Sequence, residues 1–269
     1  MKICLIKISG KAISSFEDIS KLNYWLKNIS EEFDGIVIVH GAGKEITEWS
    51  DKFGIESKFI DGQRVTTKEQ IKIVAAVQAG LINSELCAKI NAAGFSATGH
   101  SGIDRNTFMV NLFTPGLGFV GKPFLNNSIQ WITDLLNEKV IPVFSSICRD
   151  KDGNLVNVNA DIFSGYLALL LKANTVIFLS DVDGVIINNK IENQISTKEI
   201  RSGIKSGDIT AGMIPKLLSC ASLLKSGIEN LWIGSSLDSI IFNNHKDDKG
   251  NGTWIRNSTQ RSHSFKKTA

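Results

Sequence analysis

Asn157-Val158-Asn159-Ala160-Asp161, followed by the apolar run Ile162 to Ala173 and then by Thr175-Val176-Ile177-Phe178-Leu179-Ser180, sets the architecture of this chain. A polar helix mouth, an apolar helix and a β-branched strand in direct succession are one unit of a mostly parallel sheet. A helix start carries unpaired N–H groups and the positive end of a dipole, so small polar residues there cap the helix and also hold anions. One Asn or Asp is enough for a cap. Three polar groups separated by small or apolar residues fit equally a site at which side chains converge, and on these five residues alone both readings stand.

The same alternation runs outward in both directions. Lys2 to Ile8 reads as a buried strand, residues 17 to 33 as a helix, Gly35 to Val39 as a strand, and Gly43 to Phe53 as a helix after a glycine turn. Ile55 to Thr66 alternates around Asp61-Gly62, a hairpin dipeptide. Residues 67 to 93 form a long helical stretch, Ser96 to Ser101 is β-like, Asn106 to Val120 reads as a hairpin, Ser128 to Glu138 as a helix and Val140 to Ser146 as a strand. Beyond Ser180, residues 197 to 204 look helical, and Ile214, Leu217, Leu218, Ala221 and Leu224 make an apolar stripe that ends near Gly227. Ile228 to Ile233 and Gly252 to Ile255 are the last strands. The fold class is therefore α/β, doubly wound and mainly parallel, with a soft lobe boundary near residue 172 and no transmembrane span.

Composition narrows the function. The chain has 269 residues, is 42% hydrophobic and carries a net charge of +3. Arg256, Arg261, Lys266 and Lys267 supply four cations without an acid in residues 256–269, a polar, aperiodic stretch expected to be a disordered tail, which leaves the body near −1. The body is thus not a nucleic-acid surface. Cys4, Cys87, Cys148 and Cys220 form no Cys-x-x-Cys pair, and no signal core is seen, which fits a reducing cytoplasm. Cys4 and Cys220 read as core residues. His40, His100, His245 and His263 lack metal-ligand spacing, so no metal site is expected.

Three glycine-bearing turns carry the chemistry: Lys7-Ile8-Ser9-Gly10-Lys11, His40-Gly41-Ala42-Gly43-Lys44, and Gly207 to Lys216. Small residues let backbone N–H groups approach phosphate closely. The P-loop pattern Gly-x-x-x-x-Gly-Lys-Ser/Thr is absent, and Gly41-x-Gly43 lacks the third glycine of a dinucleotide fingerprint at Ile46. Lys7 ends an apolar strand, a costly place for an ammonium unless it snorkels out or an anion meets it. Lys7, Asp161 and Lys216, each at the mouth of a strand or helix, together make the charge-neutralising set that phosphoryl transfer requires. A carboxylate acceptor needs no base, since its pKa of about 4.3 leaves it ionised at neutral pH.

Seven segments occur in an order that resembles the amino-acid kinase family, and within it the branch that phosphorylates N-acetylglutamate. They are Lys7-x-x-Gly10, Val39 to Lys44, Asp61-Gly62-Gln63-Arg64-Val65-Thr66, Gly99-x-Ser101-Gly102-x-Asp104, Asn157 to Asp161, Ser180 to Gly184, and Gly212-Met213-Ile214-Pro215-Lys216. The resemblance spans about residues 2 to 255 and implies an open αβα sandwich of two lobes. Residues up to about 171 would bind the acylated amino acid, and residues 172–255 would bind ATP with its Mg2+. Lys7 and Lys216 would neutralise the transferred phosphoryl group and Asp161 would orient both. Gly41, Ala42, Gly43, Arg64, Asn157 and Asn159 would hold the substrate, the Arg fork gripping its α-carboxylate by two bonds. Gly10, Asp181, Val182, Asp183, Gly184, Val185, Ile186, Asp208, Ile209 and Thr210 would face the nucleotide. The implied reaction moves the γ-phosphoryl of ATP onto the γ-carboxylate of an N-acylated glutamate, in arginine biosynthesis. The chain opens almost directly on its first strand, which implies a homodimer insensitive to arginine.

Several departures stand out. Ser9-Gly10 and Gly41-Ala42-Gly43 replace all-glycine turns, and Ala42 is neutral only if its φ is negative. Gln63 stands where an apolar residue is usual and His100 precedes Ser101, so an unusual acyl pocket is expected. Rival readings are a kinase of the same family acting on N-succinylglutamate or on carrier-bound aminoadipate, and a non-catalytic sensor of nucleotide or amino acid. Retention of Lys7, Asp161 and Lys216 counts against the sensor.

Overall fold

The computed structural model describes residues 1–112, 116–188, 190–209, 213–240 and 252–258. Along the chain, β1 (Ile3–Ile8) leads through a 3-10 turn (Gly10–Phe16) to α1 (Ile19–Glu32), β2 (Gly35–His40) and α2 (Gly43–Lys52). The short hairpin β3 (Phe59–Ile60) and β4 (Gln63–Arg64) precedes one continuous helix, α3 (Gln70–Ala75) and α4 (Asn83–Ala92), joined by the π-helical turn Ala76–Ile82. Then come β5 (Ser96–His100), β6 (Phe108–Leu112), β7 (Gly121–Leu125), α5 (Gln130–Asn137), β8 (Val140–Ser145), β9 (Ile147–Arg149) and β10 (Leu155–Asn157). The last third holds α6 (Ala160–Leu170), β11 (Thr175–Leu179), β12 (Val185–Ile187), β13 (Lys190–Glu192), β14 (Gln194–Ser196), α7 (Thr197–Ser206), α8 (Ile214–Lys225), β15 (Asn230–Gly234) and β16 (Thr253–Arg256).

Eight strands form the central sheet in the order β14-β16-β15-β11-β1-β2-β8-β5, with β15–β16 as its antiparallel pair. From β1 the chain crosses to β2 on one side, and β11 pairs on the other, so strand order reverses at β1. Open α/β sheets bind ligands at such a switch point, outside the carboxyl ends of the strands.

The pleat sorts the core into two layers. Ile3 and Leu5 face one layer with Val37, Val39, Phe163, Leu167 and Val176, whereas Cys4, Ile6 and Ile8 face the other with Ile36, Ile38, Trp25 and Leu86. By the same period Lys7 points to the first face, the one that α6 covers. Cys4, Cys148 and Cys220 are buried free thiols.

The expected strands and helices appear close to their expected bounds, with one displaced hairpin. Asn106 to Val120 reads as a hairpin in the sequence, but the second strand starts at Gly121 and the connection includes residues outside those described. This hairpin belongs to a second sheet, β10-β9-β6-β7. Its three-residue strands are too short to show a periodic pattern. Asp61 and Gly62 take φ values of 50° and 74°, the left-handed pair that a tight hairpin turn demands. Gln70–Ala92 is apolar and long enough to cross a membrane by length and composition, yet Ile71, Val74, Val77, Leu86 and Ile90 are buried in the core.

A buried polar knot ties that helix to β2. Gln78 Nε2 donates to His40 O at 3.0 Å, and Asn83 Nδ2 donates to Val143 O at 2.8 Å and lies 3.0 Å from His40 Nε2. The two amides are five residues apart, and the wider π turn lets both reach one residue. With Nε2 accepting, His40 Nδ1–H points to Gly41 O at 3.2 Å. Burial pushes the His40 pKa down to about 4, against a small opposing effect of that carbonyl. The unfolded chain takes up this proton near pH 6.5, so the stabilisation from neutral His40 is complete above pH 6.5 and fades as pH falls towards 4. Denaturant unfolding from pH 7 to pH 4 is expected to show a steeper loss of stability in the wild type than in His40→Gln, by on the order of 3 kcal/mol at the acid end. Parallel pH profiles would remove His40 from this role.

Candidate active site

The carboxyl ends of β1, β2 and β11 converge on two turns. Ser9 N donates to Leu179 O and Gly41 N donates to Ile8 O, both at 2.9 Å, which pins the turns after β1 and β2 to the strand ends. Gly10 lies so close to the second turn that a Cβ would stand 2.8 Å from Gly43 N. Only glycine permits that approach. Ala42 has φ −151°, so it needs no left-handed backbone and its methyl costs the turn nothing.

Lys7 is buried, and its Nζ meets Asp161 Oδ1 at 2.6 Å. The contact is an ion pair whose angles do not make a hydrogen bond, so Oδ1 lacks a well-aligned donor. Asp161 stands in the first turn of α6, and Asn159 caps that helix by accepting from Asp161 N at 2.8 Å and Ile162 N at 3.3 Å. The capping reading of Asn159 and the convergent reading of Asp161 therefore both hold.

Lys216 enters from the first turn of α8, just after Pro215, and donates to Ser180 Oγ at 2.8 Å. Burial holds its pKa below the ordinary lysine range; Asp161 opposes that shift and Lys7 adds to it. Lys216 thus feels the charges of both Asp161 and Lys7, while its Nζ is held on Ser180 Oγ at the end of β11. Nothing in the sequence marks Ser180 as a site residue. Its partner lies 36 residues away in sequence, which no local pattern reports.

Arg64 projects from β4 into a cavity of about 160 Å³ that is also lined by Gly41, Ala42, Gly43, Asn157 and Asn159. Its guanidinium donates to Ser57 Oγ at 2.6 Å, Gly43 O at 2.8 Å and Thr47 Oγ1 at 2.7 Å, and it stacks 4.7 Å over Phe59. None of these partners is an anion, and burial lowers the Arg64 pKa. A buried guanidinium whose hydrogen bonds all go to neutral groups, and on which Asp51 acts only through space, is a receptor for a carboxylate. Asn157 Nδ2 donates to Thr66 Oγ1 at 3.2 Å, which leaves its second proton for a ligand. Gln63 lines the cavity, whereas His100 does not; it packs on Trp131 and pairs with Asp104 at 3.2 Å, outside the pocket.

An adjoining groove is bounded by Ser9, Gly10, Gly43, Lys44, Arg64 and Asp181. Asp181 to Ile186 leave β11 and enter β12: Asp183 accepts from Ser235, Gly184 has φ 145°, Val185 is buried and Ile186 is exposed. A Cβ at Gly184 would stand 2.7 Å from Thr253 Oγ1. Asp208 accepts from Ser206 Oγ, and Ile209 is buried against Gly203. Thr210 lies outside the described residues.

The description "Amino acid kinase family" matches residues 2–235. The chain is similar to acetylglutamate kinase of Campylobacter hominis, 35% identical over 236 residues that cover 86% of this chain and 82% of that one. It is also 36% identical over 243 residues to acetylglutamate kinase of Brachyspira hyodysenteriae, with coverage of 86% and 82%. Among solved structures, smu.665 from Streptococcus mutans UA159 superposes with a TM-score of 0.80 at 27% identity, covering 94% of this chain and 98% of that one. With a shared family pattern over most of its length and a sheet that reverses where the ligand groups gather, the chain belongs to the amino acid kinase family.

Proposed function

We propose that the chain is an N-acetylglutamate kinase, which transfers the γ-phosphoryl of ATP to the γ-carboxylate of N-acetylglutamate and forms an acyl phosphate in arginine biosynthesis. The observation that carries this reading is the Lys7–Asp161 ion pair, with Lys216 held on Ser180 at the adjoining strand end, beside a cavity walled by Arg64 and Asn157. Two ammonium groups against one carboxylate leave positive charge at the strand ends, and the bare backbone of Gly10 and Gly43 adds space for phosphate oxygens. Those features fit a polyphosphate. Magnesium carried by the nucleotide spreads charge away from the phosphate oxygens.

The acceptor is bound by its α-carboxylate on Arg64 and the free Nδ2 proton of Asn157, with Asn159 and the Gly41 to Gly43 turn beside them. Its γ-carboxylate is ionised and attacks without a general base. Lys7 and Lys216 hold the phosphoryl oxygens as charge shifts, and Asp161 keeps both ammonium groups apart and aimed. Asp181 to Ile186 and Asp208 to Thr210 border the nucleotide. This assigns the acylated amino acid to the part before about residue 172 and ATP to the part after it, in a homodimer.

Trapping with hydroxylamine tests the reaction. ATP-dependent hydroxamate is expected from N-acetylglutamate and far less from N-succinylglutamate or free glutamate; ATP binding without hydroxamate from any of them would leave the sensor reading. In Lys216→Ala, kcat is expected to fall at least about 100-fold with KM for N-acetylglutamate within about threefold. A variant with unchanged kcat would take Lys216 out of the transfer step.

A further inference from the structure

The hydrogen bonds around Gln78 leave one acceptor unmatched in the wall of the acceptor cavity. Gln78 comes from the π-helical turn, is 3% exposed and lines the cavity with Arg64, Gly43 and Asn157. Its Nε2 donates to His40 O and to Ser146 Oγ, each at 3.0 Å. Ser146 Oγ donates its own proton to Val158 O at 2.6 Å, so towards Gln78 it accepts. A backbone carbonyl also only accepts. Both neighbours of the amide nitrogen are thus acceptors, which fixes the orientation of the side chain. Gln78 Oε1 is left buried without a donor.

A dry carbonyl in this state keeps its full desolvation penalty until a donor reaches it. Orphans of this kind are uncommon in folded proteins. The donor that an N-acylated amino acid brings into the cavity is its amide N–H. Asn159 Oδ1 does not compete for it, because that oxygen already accepts from Asp161 N and Ile162 N.

We infer that Gln78 is a specificity-determining residue: its Oε1 accepts the amide N–H of the acylated amino acid, so the site selects an amide-linked over an ester-linked acyl group. The inference rests on the N-acylglutamate reading of the same site. Gln63 Oε1 is a second buried carbonyl without a donor in this wall, on the part-exposed strand β4, and is the competing assignment.

The test compares N-acetylglutamate with 2-acetoxyglutarate, in which oxygen replaces the N–H, by ADP release in the wild type, Gln78→Leu, Gln78→Met and Gln63→Leu. The wild type is expected to favour the amide by at least about tenfold in kcat/KM, with the difference mainly in KM. That preference is expected to shrink about tenfold in both Gln78 variants and to persist in Gln63→Leu. A packing defect at position 78 slows both substrates alike and leaves the ratio in place. The inference is overturned if the wild type takes both within about threefold, if the Gln78 variants keep the preference, or if it vanishes in Gln63→Leu instead. A wild-type ratio within about threefold overturns the inference even if one variant does not fold, and Gln78→Met and Gln78→Leu are independent routes to the assignment. No turnover of either substrate by the wild type overturns the kinase reading, and this inference with it.

Discussion

An ammonium group on the middle strand of a parallel sheet needs an opposite charge, and Asp161 supplies it to Lys7 at 2.6 Å. An unpaired charge at that depth would cost several kcal/mol. The pair therefore constrains where α6 begins, because its first turn must lie over the end of β1. That placement sets the cap at Asn159, the approach of Ala160 to the turn at Gly41, and the end of β10 at Asn157. The cavity beside Arg64 is largely walled by the consequences of one ion pair.

The switch point makes the rest of the site possible. Because β2 and β11 flank β1, the turns that follow these strands face each other instead of spreading along one edge. Gly10 against Gly43 brings the two turns into backbone contact, and Ser180 at the end of β11 receives Lys216. The two lysines come from β1 and α8, more than 200 residues apart in sequence; β11 pairs with β1, and Ser180 at its end holds Lys216 at the same edge of the sheet as Lys7.

Much of this was legible beforehand because it obeys a period or a motif. The runs at Lys2 to Ile8 and Thr175 to Ser180 are apolar on both faces, as strands between two core layers must be. Lys7, Asp161 and Lys216 stood out as charges at element ends. Of the second sheet only the β6–β7 hairpin was legible, since β9 and β10 have three residues each and carry no alternation. The π turn was not legible either, because over seven residues its pitch departs too little from that of an α-helix. Gln78 reads in the sequence as one polar residue in an apolar helix, and its role emerges only when the protons of His40, Ser146 and Val158 are assigned around it. His100 was the reverse case: next to a motif in sequence, it packs on Trp131 away from the cavity.

In the proposed transfer, Lys7 and Lys216 share one phosphoryl group under the control of Asp161. A crystal structure with ADP, aluminium fluoride and N-acetylglutamate tests it most directly. The expected result is a planar fluoride group between the γ-carboxylate and the nucleotide, with both lysine Nζ atoms on its fluorines and Asp161 between the lysines. The contrary result is a Lys216 that stays on Ser180 Oγ while the fluoride group sits elsewhere.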